Sequence, residues 1–472
     1  MMAARGGQNV ARSTKPMRYP DATSEAVMTR RGWWLVLLGF LIPGSAQVLA
    51  GNRKLGRVAL AATLTLWFFA LAGLGIFFFA RDWLFIVLEQ TWLLYVARVI
   101  MIAYAILWLV LAIDTLRLVK FVRARSGARF GIAGLAVVLM AAGTGGALYA
   151  ANIVGVTGET LDDVFQDGPV ADPVDGYYNI LLLGADSGEG RDSMRFDSIS
   201  VVSVNAETGQ VTITGIPRDM PNVPFAPGPM ADMYPNGYEG HADAECGWEG
   251  KINQLNTELT LCRNGADFYP DAEANGSTPG IEATKDAAEG VLGIEIPYYA
   301  FIDMSHFANL IDALGGVEIN VTERLPKGGG PAYEGQSADE WAIGWIEVGQ
   351  QRMDGDTAQW YARSRYTTSD WDRMERQREL QAAILAQFDP QTVLLRFQDI
   401  AKAGSDLVST DIPKGLLAKL AGIAEKSQQL GMTSIELVPP LVDPDYPDYA
   451  AIQQLIHDTL HPVVPEEEGG EG

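Results

Sequence analysis

Five arginines fall in one stretch of sixteen residues: Arg363 and Arg365, then Arg373, Arg376 and Arg378. A guanidinium is planar, always charged and donates parallel hydrogen bonds, so a cluster of this kind suits phosphate or pyrophosphate. On a helix beginning near Trp371, Arg373, Arg376 and Gln377 are spaced by three and four and share one face. If Arg363-Ser364-Arg365 is extended, alternation projects its two guanidiniums to one side. The competing reading is a solvated helix whose arginines pair with Asp370, Asp372, Glu375 and Glu379.

A second group of residues favours the anion site. Asp186 follows the apolar run Asn179–Leu183, Arg195-Phe196-Asp197 leads into the next run, and Ile216-Pro217-Arg218-Asp219 closes the one after. Loops at strand ends are where α/β sheets place ligands. Asp186 and Asp197, eleven positions apart around a Gly-rich loop, could hold one hard divalent cation, with phosphate oxygens and water completing an octahedron. Carboxylate-bound metal plus several arginines is the apparatus of phosphoryl transfer, where positioning and charge neutralisation do most of the work. The four histidines, His241, His306, His457 and His461, lack zinc-type spacing. There is no Gly-x-Ser-x-Gly nucleophile elbow and no Walker-type loop.

The elements that must position these residues are short and alternate in type. Strands are expected at Asn179–Leu183, Ser198–Val204, Gln210–Ile216, Tyr298–Ile302, Val317–Val321 and Ser434–Val438. The second and third read as a hairpin turned by Asn205–Gly209. Helical patterns cover Gly280–Val291, Ser305–Leu314, Asp354–Ala362, Trp371–Phe388 and Pro413–Gln429. Strands interspersed with helices indicate an α/β domain with a layered sheet core. Pro224–Gly250 and Tyr269–Gly280 read as long Gly/Pro-rich loops.

Before this domain the composition changes sign. Through Gly155 there are sixteen Lys+Arg against five Asp+Glu, beyond it nineteen against fifty-three, and together they give the net charge of −23. The acidic half argues against a nucleic-acid partner, which needs a basic footprint. The basic half holds apolar runs at 58–80, 92–113 (interrupted by Arg98) and 131–154, each long enough to span a bilayer. A further run, 33–50, is broken by Pro43-Gly44-Ser45. Basic residues flank it on both sides (Arg30 and Arg31; Arg53, Lys54 and Arg57), and Arg117 to Arg129 follow the second long run. By the positive-inside rule all three basic segments are cytoplasmic, so 33–50 is expected to be a re-entrant or interfacial hairpin. The domain after the third span is then outside. Cys246 and Cys262 both lie in that acidic half. An even count in an oxidising compartment suggests one disulfide; two unpaired buried thiols is the alternative.

The expected order is a cytoplasmic basic tail (1–32), a lipid-embedded helical membrane region (33–154), a linker (155–176), an extracytoplasmic α/β layered-sheet domain (177–461) and an acidic, disordered tail (462–472).

The chemistry-bearing residues are also where the chain resembles the LytR-CpsA-Psr family of bacterial cell-wall ligases. Asn179-Ile-Leu-Leu-Leu-Gly-Ala-Asp-Ser187, Arg195-Phe-Asp-Ser198, Ile216-Pro-Arg-Asp219 and Lys251-Ile-Asn253 look like its successive motifs. So do Asp303–Val317, Tyr361-Ala-Arg-Ser-Arg365 and Asp372-Arg-Met-Glu-Arg-Gln377. The resemblance implies a membrane-anchored phosphotransferase with an LCP-type domain. Such an enzyme takes a glycopolymer (a wall teichoic acid, capsule or arabinogalactan) from a polyprenyl pyrophosphate carrier. It joins the polymer through a phosphodiester to the 6-hydroxyl of a muramic acid in peptidoglycan.

Carried over position by position, Asp186 and Asp197 would bind Mg²⁺ (or Mn²⁺). Arg195, Arg218, Arg363, Arg365, Arg373 and Gln377, together with Arg376 and Lys251, would bind the pyrophosphate. Arg218, Arg363 and Arg365 would act in the transfer step. Apart from the resemblance, a nearby carboxylate such as Asp219 or Asp372 is the candidate base. The chain departs from the commoner single-span architecture, and Gly188 stands where the family often has arginine, with Arg191 coming later. The same site with water as acceptor would be a polyprenyl-pyrophosphate hydrolase. A regulatory membrane protein that only binds wall polymers is the alternative from another class.

Overall fold

The computed structural model describes residues 17–79, 90–185, 194–241, 246–247, 249–366, 368–387 and 408–462. The chain divides into two units, Met1–Gly158 and Glu159–Gly472.

In the first unit, Ser24 caps α1 (Glu25–Leu41) by accepting from Val27 N, with Glu25 in the first turn. α2 is Ser45–Ala50, α3 Arg53–Phe79, α4 Thr91–Val119 and α5 Ser126–Val164. The last three are long and apolar enough to cross a membrane. The chain breaks between α1 and α2 at Pro43-Gly44, where Gly44 takes φ 95°. A side chain there would meet Leu60 N at 2.7 Å and Gly56 O at 2.8 Å, so glycine is required by both conformation and the approach of α3. Inside the helix group, Gln47 Nε2 donates to Leu111 O and Thr115 Oγ1, each at 3.0 Å. Arg31, otherwise costly to bury, donates to Met17 O and Leu118 O at 2.7 Å.

Two boundaries differ from those expected. α1 already begins at Glu25, inside the 1–32 tail, because Ser24 and Glu25 supply a helix start. α5 continues to Val164, so residues 155–164 of the expected linker are helical. The expected acidic tail falls, beyond Pro462, outside the described residues.

The second unit is built on a six-stranded mixed sheet, with strands β1 (Tyr177–Ala185), β2 (Phe196–Asn205), β3 (Val211–Ile216), β4 (Tyr298–Asp303), β9 (Val408–Thr410) and β10 (Met432–Glu436) in the order β10-β3-β2-β1-β4-β9. β1 and β2 are antiparallel, with Asn205 Oδ1 accepting from Glu207 N and Thr208 N in the turn that leads to β3. β1 and β4 run parallel, as do β3 and β10. The period-two alternation of β1 feeds two layers. Leu181, Leu183 and Ala185 enter a core with α6 (Pro279–Leu292) and α11 (Tyr449–Leu460). Tyr178 and Ile180 enter another with Ile412, Leu416 and Ile423, of which Leu416 and Ile423 lie on α10 (Lys414–Leu430). Each apolar side chain buried this way contributes about 1.5–3 kcal/mol. The layered α/β domain is thus present.

A satellite layer follows β4. α7 (Met304–Leu314) leads to β5 (Val317–Val321), which pairs antiparallel with β8 (Gly349–Met353), while β6 (Leu325–Lys327) pairs with β7 (Gly344–Ile346). They pack with α8 (Gly355–Arg363) and α9 (Asp370–Gln387) around Phe307, Ile311, Val317, Ile346, Met353, Tyr361 and Leu380. The last strand lies at Met432–Glu436 rather than Ser434–Val438, because its register against Val211–Gly215 sets the boundary.

In the long loop before α6, Cys246 and Cys262 form a disulfide. Beside it Glu258, fully buried, accepts from Arg263 Nε at 2.6 Å and Tyr234 OH at 2.8 Å and lies against His241. A buried carboxylate is tolerated because its oxygens are paired.

Candidate active site

The strand directions bring the chemistry to one end of the sheet. β1, β3 and β4 end there and β2 begins there, since Ala185 pairs with Phe196, Ile199 with Ile216, and Ala185 with Asp303. Asp197 and Arg218 therefore meet: Arg218 Nη1 donates to Asp197 Oδ1 at 2.5 Å, and its Nε lies 3.5 Å from Asp219 Oδ2. Burial pulls the Arg218 pKa down, but Asp197, Asp219 and Asp370 outweigh it and hold the guanidinium above its ordinary range.

The arginine stretch comes to the same place from α8 and α9. α8 starts at Asp354, whose side chain accepts from Thr357 N, and stops at Ser364, which is extended at φ −63° and ψ 131°. Ser364 is buried, with Oγ donating to Pro326 O at 3.0 Å, while Arg363 and Arg365 on either side are exposed. Arg363 packs its guanidinium 5.9 Å from the Trp360 ring centre.

Asp370 joins the two groups. Its Oδ2 accepts from Arg373 Nη2 at 3.0 Å, and its Oδ1 lies 3.6 Å from Arg365 Nη1 and 3.9 Å from Arg218 Nη2. One carboxylate thus faces three guanidiniums from three segments of chain. Burial, then the nearby charge of Arg218, holds the Arg373 pKa below the usual arginine range, Asp370 opposing and Arg365 adding to the drop. Arg218 Nε, Arg373 Nε and Asp370 Oδ1 are buried yet make no hydrogen bond. Buried polar atoms are nearly always paired, so orphans gathered in one cluster mark where a ligand is expected. In sequence alone Asp370 reads only as one of the partners of a solvated helix.

Other expected site residues take different places. Arg376 turns inward: Nε donates to Tyr361 O at 3.1 Å, and Nη2 to Thr368 Oγ1 at 3.1 Å and to Ser364 O. Gln377 Nε2 donates to Ala362 O at 3.3 Å. Both are buried and hold the Arg363–Arg365 backbone rather than facing solvent. The three-and-four spacing put them on the face of Arg373, but that face packs on the preceding loop. Asp372 is a helix cap, its Oδ2 accepting from Ser369 N and Oγ at 2.7 Å. The Ser369 contacts hold its carboxyl below the ordinary range, the opposite of what a base needs.

Asp219 is half exposed beside Arg218. Lys251 bridges to Pro221 and pairs with Glu249 at 3.0 Å, which with Asp219 and Asp445 raises its pKa. Asn253 N donates to Arg218 O at 3.1 Å, so Lys251-Ile-Asn253 supports the Arg218 turn through its backbone. Arg195 is exposed at the start of β2.

Asp186 and Arg191 lie outside the described residues, and no group of three His, Cys, Asp or Glu is gathered for a metal among the described ones. Asp197, the described member of the expected carboxylate pair, carries oxygen donors of the kind a hard divalent cation takes, and its Oδ1 accepts from Arg218.

Residues 156–454 match the LytR_cpsA_psr family model. The chain belongs to the LytR_cpsA_psr family. Among its relatives is TagU of Halalkalibacterium halodurans, named a polyisoprenyl-teichoic acid–peptidoglycan teichoic acid transferase. It is 28% identical over 302 residues, which cover 60% of this chain and 79% of that protein. LcpB of Corynebacterium glutamicum, named a probable cell wall biosynthesis protein, is 32% identical over 224 residues, 44% of this chain and 41% of that one. The crystal structure of B. subtilis TagV aligns with a TM-score of 0.41 at 20% identity, covering 60% of this chain and 97% of that one. Within the family match fall all the Asp and Arg positions of the site; the first two spans lie before it, and the third, Ser126–Val164, runs into its start.

Proposed function

We propose that this protein is a membrane-anchored transferase that attaches a glycopolymer, delivered on polyprenyl pyrophosphate, to peptidoglycan outside the cell. The observation that carries this reading is the triple-arginine cluster on Asp370 with its unpaired buried donors. The names of the transferase relatives support the polymer and the acceptor. The three apolar helices support the anchor, and the basic flanks of the spans support a cytoplasmic N-terminus.

Pyrophosphate carries more charge and more oxygens than one carboxylate, so it displaces Asp370 from the forks of Arg218, Arg365 and Arg373. Arg363 and Arg195, both exposed, extend the binding edge, and Lys251 lies near Asp219 on the Arg218 side. Arg376 and Gln377 fix the loop that presents Arg363 and Arg365. Mg²⁺ held by Asp186 and Asp197 would supply further neutralisation of the developing charge. The muramic 6-hydroxyl oxygen bonds to the phosphorus that carries the glycan, and that phosphorus loses its bond to the bridging oxygen, which leaves with the polyprenyl phosphate. The hydroxyl proton passes to a carboxylate, for which Asp219 is the candidate, since Asp372 is committed to its helix cap. The arginines stabilise the departing polyprenyl phosphate.

Lipid extraction of the purified full chain tests the substrate class. Mass spectrometry should find a polyprenyl phosphate or pyrophosphate with wild type and lose it with Arg365→Ala. Equal lipid content in both would remove the site assignment.

A further inference from the structure

Arg378 belongs to the arginine stretch but lies beneath the site rather than in it. Its side chain is 2% exposed. Nη1 donates to Gln381 Oε1 at 2.8 Å and Nη2 to Ser198 Oγ at 3.0 Å. Nε faces Glu436 Oε1 at 3.5 Å without a hydrogen bond, and both Glu436 oxygens are buried and unpaired. Gly215 on the neighbouring strand leaves the room: a side chain there would meet Glu436 Oε2 at 2.3 Å. Gln381 also accepts from Ser200 Oγ at 3.2 Å. One face of α9 is therefore fastened to β2 by directional hydrogen bonds and to β10 by an ion pair.

This is a poor way to gain stability. A buried ion pair can often be replaced by apolar residues of similar volume with no loss. Burial pushes the Glu436 carboxyl up to about 7 even with Arg378 beside it, Glu375 adding to the rise. What the contacts supply is register, because hydrogen bonds are met in one alignment only. Ser198 is the residue after Asp197, and Arg373 is on the same helix as Arg378.

We propose that Arg378 is a positioning residue that locks α9 to the start of β2, so that Arg373 and Asp197 keep the spacing the pyrophosphate requires. The inference rests on the assignment of that site to pyrophosphate.

The test uses the full chain in detergent, with inorganic pyrophosphate and Mg²⁺ as the probe. Calorimetric Kd and thermal unfolding are measured for wild type, Ser198→Ala and the double variant Arg378→Met with Glu436→Leu. Well below the unfolding transition nearly all of the protein is folded and the Kd is insensitive to small stability losses, so a merely structural role moves Tm and leaves it alone. The double variant should melt near wild type while its Kd rises about tenfold or more. Ser198→Ala should weaken Kd in the same direction without lowering Tm, and it decides the matter if the double variant does not fold. Arg378→Lys, which keeps the charge but not the two-pronged contact, should not restore binding. A wild-type Kd in Ser198→Ala and the double variant overturns the role of Arg378 alone. A wild-type protein that takes up no pyrophosphate overturns the site assignment and this proposal together.

Discussion

Arg376 and Arg365 stand eleven positions apart and do different work. Arg376 is buried on three oxygens of the 361–368 segment, whereas Arg365 is exposed and faces Asp370 at 3.6 Å. Their substitutions should separate in the same assay. Arg376→Ala leaves buried carbonyls without a donor, so it should lower unfolding stability by about 1–3 kcal/mol and reduce transfer in proportion to lost protein. Arg365→Ala should leave Tm close to wild type and lower transfer by about 10²-fold or more, as removal of one preorganised donor does elsewhere. Thermal unfolding and turnover measured on the same samples separate them. Equal stability loss in both variants would remove the distinction. Composition alone did not reveal it, because five arginines in one stretch look equivalent until the packing face of α9 is known.

At the scale of elements, period-two apolar runs located β1, β2 and β3, and the 3.6-residue pattern located α6 to α10 within a residue or two. β6, β7 and β9 were not legible, since three-residue strands exist only through their pairing partners. α11 follows a proline-rich segment and was missed although Ile452, Ile456 and Leu460 repeat at helical spacing. The position of Asp370 was legible, but its role was not, because that depends on Arg218 arriving from β3.

Two elements carry stability predictions. The disulfide closes a 16-residue separation in the loop before α6, so Cys246→Ser should lower stability by about 2–4 kcal/mol in chemical denaturation; an unchanged midpoint would show the loop already fixed by Glu258. On α6, burial raises the Asp286 carboxyl to about 6 and Glu289 to about 7. Groups raised in the folded state stabilise fully below the ordinary carboxyl range and lose that stabilisation as pH rises through their folded values. These two groups should therefore make Tm fall from about pH 4 to about pH 7. Glu289→Gln keeps the acceptor for Ile296 N, now at 2.6 Å, and should flatten the fall. An identical profile would rule out Glu289 as its source.

For the whole molecule, the charge division between a basic, apolar first half and an acidic second half separates an anchor from a catalytic domain. The acidic character of the second half makes its few arginines informative, since Arg218, Arg365 and Arg373 converge on one carboxylate. The central claim is that this convergence transfers a glycopolymer from a lipid pyrophosphate to peptidoglycan. The direct measurement is a reconstituted assay with the full chain in vesicles, labelled polyprenyl-pyrophosphate glycan and isolated peptidoglycan. Wild type should place label covalently on the peptidoglycan through an acid-labile phosphodiester and release polyprenyl phosphate, while Arg365→Ala and Asp197→Asn should place none. Free glycan released with no label on the peptidoglycan, or full transfer by either variant, would contradict it.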